Sequence, residues 1–194
     1  MLDNKIRCNW NTEDEGYISY HDKEWGVPVH DDKILFEFLI LEGAQAGLSW
    51  ITILKRKESY KALYDDFDIE KIANYTEDDV ERLKSNPGII RNKLKIKSSI
   101  KNAKATLLIK EEFGSLDKYL WSFVNFKPLD THRNFDDPFV ATTPISDALS
   151  KDLKKRGFSF VGSTIIYAFM QAIGMVNDHN TSCFRYQEIK DREA

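Results

Sequence analysis

The chain has 194 residues, of which 42% are hydrophobic and 30% charged, and its net charge is −3. That length and balance fit one folded domain over 1–194 and exclude disorder, collagen and coiled coil as the dominant state. No apolar run approaches the ~20 residues that span a bilayer. The polar stretch 1–11 lacks the apolar segment of a signal peptide. The two cysteines, Cys8 and Cys183, make no disulfide framework, so a reducing, cytoplasmic setting without a membrane partner is expected.

In chain order the apolar spacing is helical almost throughout, and the expected class is all-α. Asp31-Asp32 can cap a helix carrying Ile34, Leu35, Phe38, Leu39 and Leu41. A second apolar set is Leu48, Ile51, Ile53 and Leu54, and Thr76 with Asp79 reads as a capping box. Leu94, Ile96, Ile100 and Ala103 belong to a long basic helix. Residues 128–144, with three prolines, are the most loop-like stretch. Ser146 can cap a helix through Leu149 and Leu153 that stops at Gly157, and 160–176 should form a nearly all-apolar core helix. The N- and C-terminal segments are expected to meet.

Charge is distributed unevenly. From 84 to 110 there is no acid, while Lys84, Arg91, Lys93, Lys95, Lys97, Lys101, Lys104 and Lys110 are all basic. Such a stripe suits an anion such as a phosphate backbone, or it is a solvated face balanced by acids nearby in space. Within it, Ser85-Asn86-Pro87-Gly88-Ile89-Ile90-Arg91 reads as a tight turn before a helix, with Gly88 free to take positive φ. Free backbone N–H groups and the helix dipole there would form an anion site, like the helix–hairpin–helix grip on DNA. A plain interhelical turn fits the same residues.

Two further groups could carry chemistry. His179 and Cys183, four apart, suit one side of a metal site, with Cys8 and His21 as partners from the other end of the chain. Two unrelated buried cysteines and two surface histidines fit equally. The second group is Tyr17, Tyr20, Trp25 and Trp50 around one acid, Glu42. Aromatic faces attract flat cationic groups, and the small residues Gly43, Ala44, Ala46 and Gly47 allow close approach. Core aromatics with a solvent-facing Glu42 at a helix end are the alternative. His30 and His132 are expected at the surface, and Trp10 and Trp121 in packing roles.

Taken together these blocks resemble a known family. Tyr20-His21-Asp22-Lys23-Glu24-Trp25-Gly26-Val27-Pro28 is similar to its YHDxEWGxP signature, and Leu41-Glu42-Gly43-Ala44-Gln45-Ala46-Gly47-Leu48-Ser49-Trp50 to its LExxQAGLSW signature. Ser146-Asp147-Ala148-Leu149-Ser150, Lys154-Lys155-Arg156-Gly157-Phe158, Phe160-Val161-Gly162, Met170-Gln171-Ala172 and Asn177-Asp178-His179 match further blocks. The family is DNA-3-methyladenine glycosylase I, and only 127–143 and the chain ends carry no match.

The resemblance implies a helix–hairpin–helix glycosylase fold and a structural Zn2+ held by Cys8, His21, His179 and Cys183. It implies base contacts from Tyr20 and Trp50, with Tyr17 and Trp25 completing the wall, and Glu42 as the catalytic-site acid. Leu48, beside Gly47, falls at the wedge position, and Gly88, Arg91 and Lys93 at the phosphate-binding hairpin. The implied partner is alkylated double-stranded DNA, with free 3-methyladenine as product and the chain acting as a monomer. Many relatives place an Asp downstream of the hairpin, yet 84–110 holds none, and no lysine is marked as a Schiff-base nucleophile. The expectation is therefore a monofunctional glycosylase, with a non-catalytic lesion-binding module as the alternative. A zinc hydrolase would need an open metal position, which four protein ligands deny.

Overall fold

The computed structural model describes residues 4–10 and 13–191. The ends of the expected 1–194 domain, with Met1 to Asp3 of the polar N-terminal stretch, lie outside the described residues.

The described chain is helical with one small sheet. In order come α1 (Glu15–Lys23), α2 (Asp32–Gln45), α3 (Trp50–Leu54), α4 (Lys57–Leu63), a 3-10 turn (Asp65–Phe67), α5 (Ile69–Ala73), α6 (Glu77–Ser85), α7 (Lys93–Phe113) and α8 (Leu116–Ser122). Then follow β1 (Leu129–Asp130), α9 (Pro144–Lys155), α10 (Ser163–Ala172), β2 (Val176–Asn177) and α11 (Phe184–Lys190). None of these helices is long and apolar enough to cross a membrane.

Two helices form the centre because they are apolar on nearly every face. The ten residues from Leu35 to Ala44 of α2 are all buried, and α10 buries Ile166, Tyr167, Phe169, Met170 and Ala172. α2 packs against α10, α7, α8 and α3, while α9 covers α10 and α5 lies along α7. One continuous core results, running from Cys8 through Trp121 to Cys183.

Helix ends follow local chemistry. Asp31 accepts from the N–H groups of Lys33 and Ile34, both at 3.0 Å. The Asp79 carboxylate accepts from the N–H (2.9 Å) and hydroxyl (3.1 Å) of Thr76, as the capping-box reading requires. Gly157, at φ +95°, follows the end of α9 in the left-handed conformation that suits glycine.

Two expectations need correction. Thr143, not Ser146, caps α9: its hydroxyl accepts from the Ser146 N–H, Pro144 occupies the first turn, and Ser146 returns a bond to the Thr143 N–H. The core helix covers only Ser163–Ala172 of 160–176. Phe160 at φ +56° and the capping Gly162 delay its start. Gly174 at φ +73° sits where a Cβ would lie 2.4 Å from the Pro28 nitrogen, so the chain turns there. The expected helical class holds, with one addition. Leu129 and Asp130 pair in parallel with Val176 and Asn177, a two-residue ladder that ties the 127–143 loop to the C-terminal segment.

Candidate active site and metal centre

α2 and the turn after it position the acid. Glu42 lies one turn before the end of α2, so its side chain is 3% exposed rather than solvent-facing. It borders a cavity of about 350 Å³, within the size range of small-molecule sites, roughly 300–1,000 Å³. Tyr17, Tyr20, Trp25 and Trp50 line the same cavity. The rings of Tyr20 and Trp50 are 5.4 Å apart, and those of Tyr17 and Tyr20 stack at 6.5 Å.

Glu42 has no hydrogen-bond or ion-pair partner among the described residues. Burial alone pushes its carboxyl up to about 8. Burial and the Glu42 charge together push the Tyr20 phenol well above its ordinary value. Among the described residues the buried indole N–H of Trp50 also lacks an acceptor. The cavity is therefore an aromatic cage around an unpaired acid. It can take a flat ligand that brings positive charge and hydrogen-bond donors.

The lining holds residues that the sequence reading placed elsewhere. Trp10, expected to serve packing alone, borders the cavity and stands edge-on to Tyr17 (5.5 Å), Trp25 (4.7 Å) and His21 (5.2 Å). Trp121 does pack, donating its N–H to the Val29 carbonyl at 2.9 Å. From the unmatched loop come Arg133, Asp137 and Phe139. Arg133 pairs with Asp178 at 3.0 Å, and Gln171 donates to the same carboxylate at 2.6 Å. Gln171 and Asp178 stood in quoted blocks, which was a signal. Arg133 and Phe139 stood in none.

Beyond Glu42 a second cavity of about 260 Å³ continues under Gly47 and Leu48. Gly47 at φ +76° reverses the chain after α2, and Leu48 emerges 41% exposed.

Behind the aromatic wall the two chain ends meet. Ligand atoms of Cys8, His21, His179 and Cys183 all lie within 4.8 Å of one another, and all four residues are buried. Cys8 Sγ is 3.4 Å from His179 Nδ1, and Cys183 Sγ is 3.6 Å from His21 Nε2 and 3.7 Å from His179 Nδ1. Donors bound tetrahedrally at ~2.0–2.3 Å are separated by roughly 3.3–3.8 Å, so the set fits a metal ion. The far sides of the ligands are held too. His21 Nδ1 meets Asp22 at 2.7 Å, His179 Nε2 meets the Trp25 carbonyl at 3.1 Å, and the Asn180 N–H points to Cys8 Sγ at 3.4 Å. Arg7 in turn holds Asp22 at 2.6 Å. Cys8, His21, His179 and Cys183 can thus hold a metal ion with four protein donors, and unrelated cysteines are excluded. His30 and His132 are both exposed.

Elsewhere α6, the 86–92 turn and α7 form a helix–turn–helix unit. Gly88 does not use positive φ. It is glycine because a Cβ would stand 3.0 Å from the Ser59 side chain and from Asn86 Oδ1. The Gly88 and Ile90 N–H groups are already occupied, by Asn86 Oδ1 (2.8 Å) and the Tyr60 hydroxyl (3.1 Å). Among the described residues, those of Ile89 and Arg91 have no acceptor within the protein. Much of the basic stripe is balanced in space: Lys93 meets Glu77 (2.6 Å) and Glu81 (3.0 Å), Lys97 meets Glu77 (2.9 Å), and Lys84 meets Glu81 (3.4 Å).

Comparison with known proteins agrees with this geometry. The methyladenine glycosylase family matches residues 10–186. DNA-3-methyladenine glycosylase 1 of Escherichia coli (strain K12) is 52% identical over 180 residues, covering 93% of this chain and 96% of that protein. A crystal structure of 3-methyladenine DNA glycosylase I superposes with TM-score 0.89 at 53% identity, covering 92% of this chain and 98% of the other. A tyrosine-to-phenylalanine variant of 3-methyladenine DNA glycosylase I in complex with 3-methyladenine superposes equally well, TM-score 0.89, at 39% identity, covering 92% and 96%. Fold and site thus define an enzyme of the DNA glycosylase class. Within it, the chain belongs to the methyladenine glycosylase family.

Proposed function

We propose that this enzyme extrudes N3-methyladenine from alkylated duplex DNA and hydrolyses its N-glycosidic bond, leaving an abasic site and an uncut strand. The observation that carries the reading is the buried, unpaired Glu42 inside an aromatic cavity. Methylation at N3 gives the base a formal positive charge, so the C1′–N9 electron pair departs onto an already electron-poor ring and the base leaves neutral. Water adds to C1′ and loses one proton.

In this scheme the cationic base restores the Glu42 charge that burial suppresses. The carboxylate accepts from the exocyclic amine of adenine, while guanine would present a carbonyl there and leave the acid unpaired. Trp50 and Tyr20 flank the ring, with Tyr17, Trp25 and Trp10 as the wall. Leu48 enters the gap left in the stack, offsetting part of the unstacking cost of a few kcal/mol. The 86–92 turn meets a phosphate through the open N–H groups of Ile89 and Arg91, with the Arg91 side chain beside them.

The metal implied by two thiolates and two imidazoles is zinc, whose tetrahedral demand matches the donor spacing. Bound there it supplies structure: it staples 4–10 and α1 to the segment before α11, behind the cavity wall. The reading is tested by base release from methylated duplex DNA, with the freed base identified by chromatography. Release of 3-methyladenine without strand scission, lost or weakened in Glu42→Gln and Trp50→Ala, supports it. Tight binding to abasic DNA with no release would replace it with the lesion-binding module.

A further inference from the structure

Lys95 does not belong to the basic stripe that contains it in sequence. Its ammonium donates to the carbonyls of Ala44 (2.8 Å) and Ala46 (2.6 Å), 51 and 49 residues upstream. These lie at the C-terminal end of α2, where carbonyls lack intrahelical partners and the helix dipole is negative. α2 has no basic residue of its own in that last turn. The cation comes instead from α7, which packs against α2. Burial lowers the Lys95 pKa, and no acid offsets it. Its neighbours differ: Lys93 and Lys97 face outward to Glu77.

The two ends of this link are functional in the reading above. Lys95 is the third residue of α7, directly after the 86–92 turn. The carbonyls it holds lie just before the reversal at Gly47, with Glu42 one turn earlier and Leu48 just after. The Leu48 N–H is itself held by the Gln45 carbonyl at 2.6 Å. A single ammonium therefore connects the element facing phosphate to the element carrying acid and wedge.

We propose that Lys95 is a positioning residue that sets the register between the phosphate-gripping turn and the wedge, so that holding the backbone places Leu48 for extrusion. This rests on the glycosylase reading. It does not require Lys95 to touch DNA.

The test compares Lys95→Met and Lys95→Arg with wild type in three measurements. These are single-turnover release of 3-methyladenine from methylated duplex, affinity for free 3-methyladenine by tryptophan fluorescence, and the salt dependence of binding to undamaged duplex. For Lys95→Met, release should slow about 10- to 100-fold, as misplacement of reacting groups does. Free-base affinity and salt slope should stay at wild-type values, and Lys95→Arg should recover much of the rate. Release at the wild-type rate overturns the proposal. So does a parallel loss of free-base affinity, which would make Lys95 a support of the cavity alone. A salt slope reduced by about 0.9 would make it a phosphate contact instead. If Lys95→Met does not fold by circular dichroism, Lys95→Gln is read against the same three outcomes. If wild type releases no base, the glycosylase reading fails by itself. Extrusion is then read from 2-aminopurine fluorescence in a duplex, where an equal rise with wild type and Lys95→Met overturns the Lys95 role.

Discussion

Two buried polar assemblies lie back to back across Trp10 and Trp25, and they are built on opposite terms. In the cysteine–histidine cluster both imidazoles and one sulfur have a second partner: His21 has Asp22, His179 has the Trp25 carbonyl, and Cys8 has the Asn180 N–H. In the cavity, among the described residues, Glu42 has no partner and the Trp50 N–H has no acceptor. Buried polar groups are normally satisfied, and each exception asks for an explanation. The satisfied assembly is a fixed frame. The unsatisfied one holds free energy that a ligand of matching charge releases on binding.

Breaking the frame should have the largest effect. Cys183→Ala removes one of four donors and with it the closed coordination shell. Because metal affinity of such a site is folding free energy, the loss should be at least about 3 kcal/mol, or roughly 10 °C in Tm for a chain of this length. Thermal melts with and without a strong chelator, together with metal content by mass spectrometry, check it. A chelator-insensitive Tm and a metal-free, folded wild type would show that the frame holds through hydrogen bonds alone.

Breaking the other assembly should raise stability while removing function. Glu42 is pushed from 4.5 to about 8 by burial, so the native state holds a proton that the unfolded chain releases between those values. The Glu42 contribution to stability is then most favourable below about pH 4.5 and is lost as pH rises toward 8. Glu42→Gln removes that decline, so its Tm advantage should grow across the same window, by about 2–4 °C per kcal/mol. Excision should fall about 10- to 100-fold, the worth of a hydrogen bond to a charged group. In wild type, kcat/KM should climb with pH through an ionisation near 8, and the variant should lack that limb. A variant less stable than wild type at pH 8 would mean that Glu42 is paired in solution after all.

The same contrast explains what the sequence could reveal. Groups satisfied by near neighbours leave a local signature, and these were legible: the Asp31 cap, the Thr76–Asp79 box, the Gly157 stop. Pro144, counted with the 128–144 loop, was in fact a signal for the Thr143 cap. Groups satisfied from far away leave none. Spacing could join His179 to Cys183 and residue type could offer Cys8 and His21 as partners, but only the resemblance decided between that set and unrelated cysteines. Nothing in 127–143 announced that Arg133 and Phe139 reach the cavity, because a two-residue ladder is too short to show alternation. Lys95 read as one basic residue among eight, since its partners are backbone carbonyls half a hundred residues away.

At the surface the same contrast separates two neighbouring cations. Lys93 is engaged by Glu77 and Glu81, whereas Arg91 is exposed and has no acidic partner among the described residues. If prior satisfaction decides which groups meet a ligand, the two cations should contribute unequally to phosphate binding. A phosphate contact contributes a salt slope of about 0.9. Arg91→Gln should lower the slope for undamaged duplex by about that amount. Lys93→Gln should change it less, because reaching a phosphate requires giving up two carboxylates and leaves their repulsion behind. Filter-binding or anisotropy titrations across a range of salt concentrations measure both. Equal slopes for the two variants would show that surface ion pairs exchange freely for phosphate. The rule drawn from the interior would then stop where solvent screening begins.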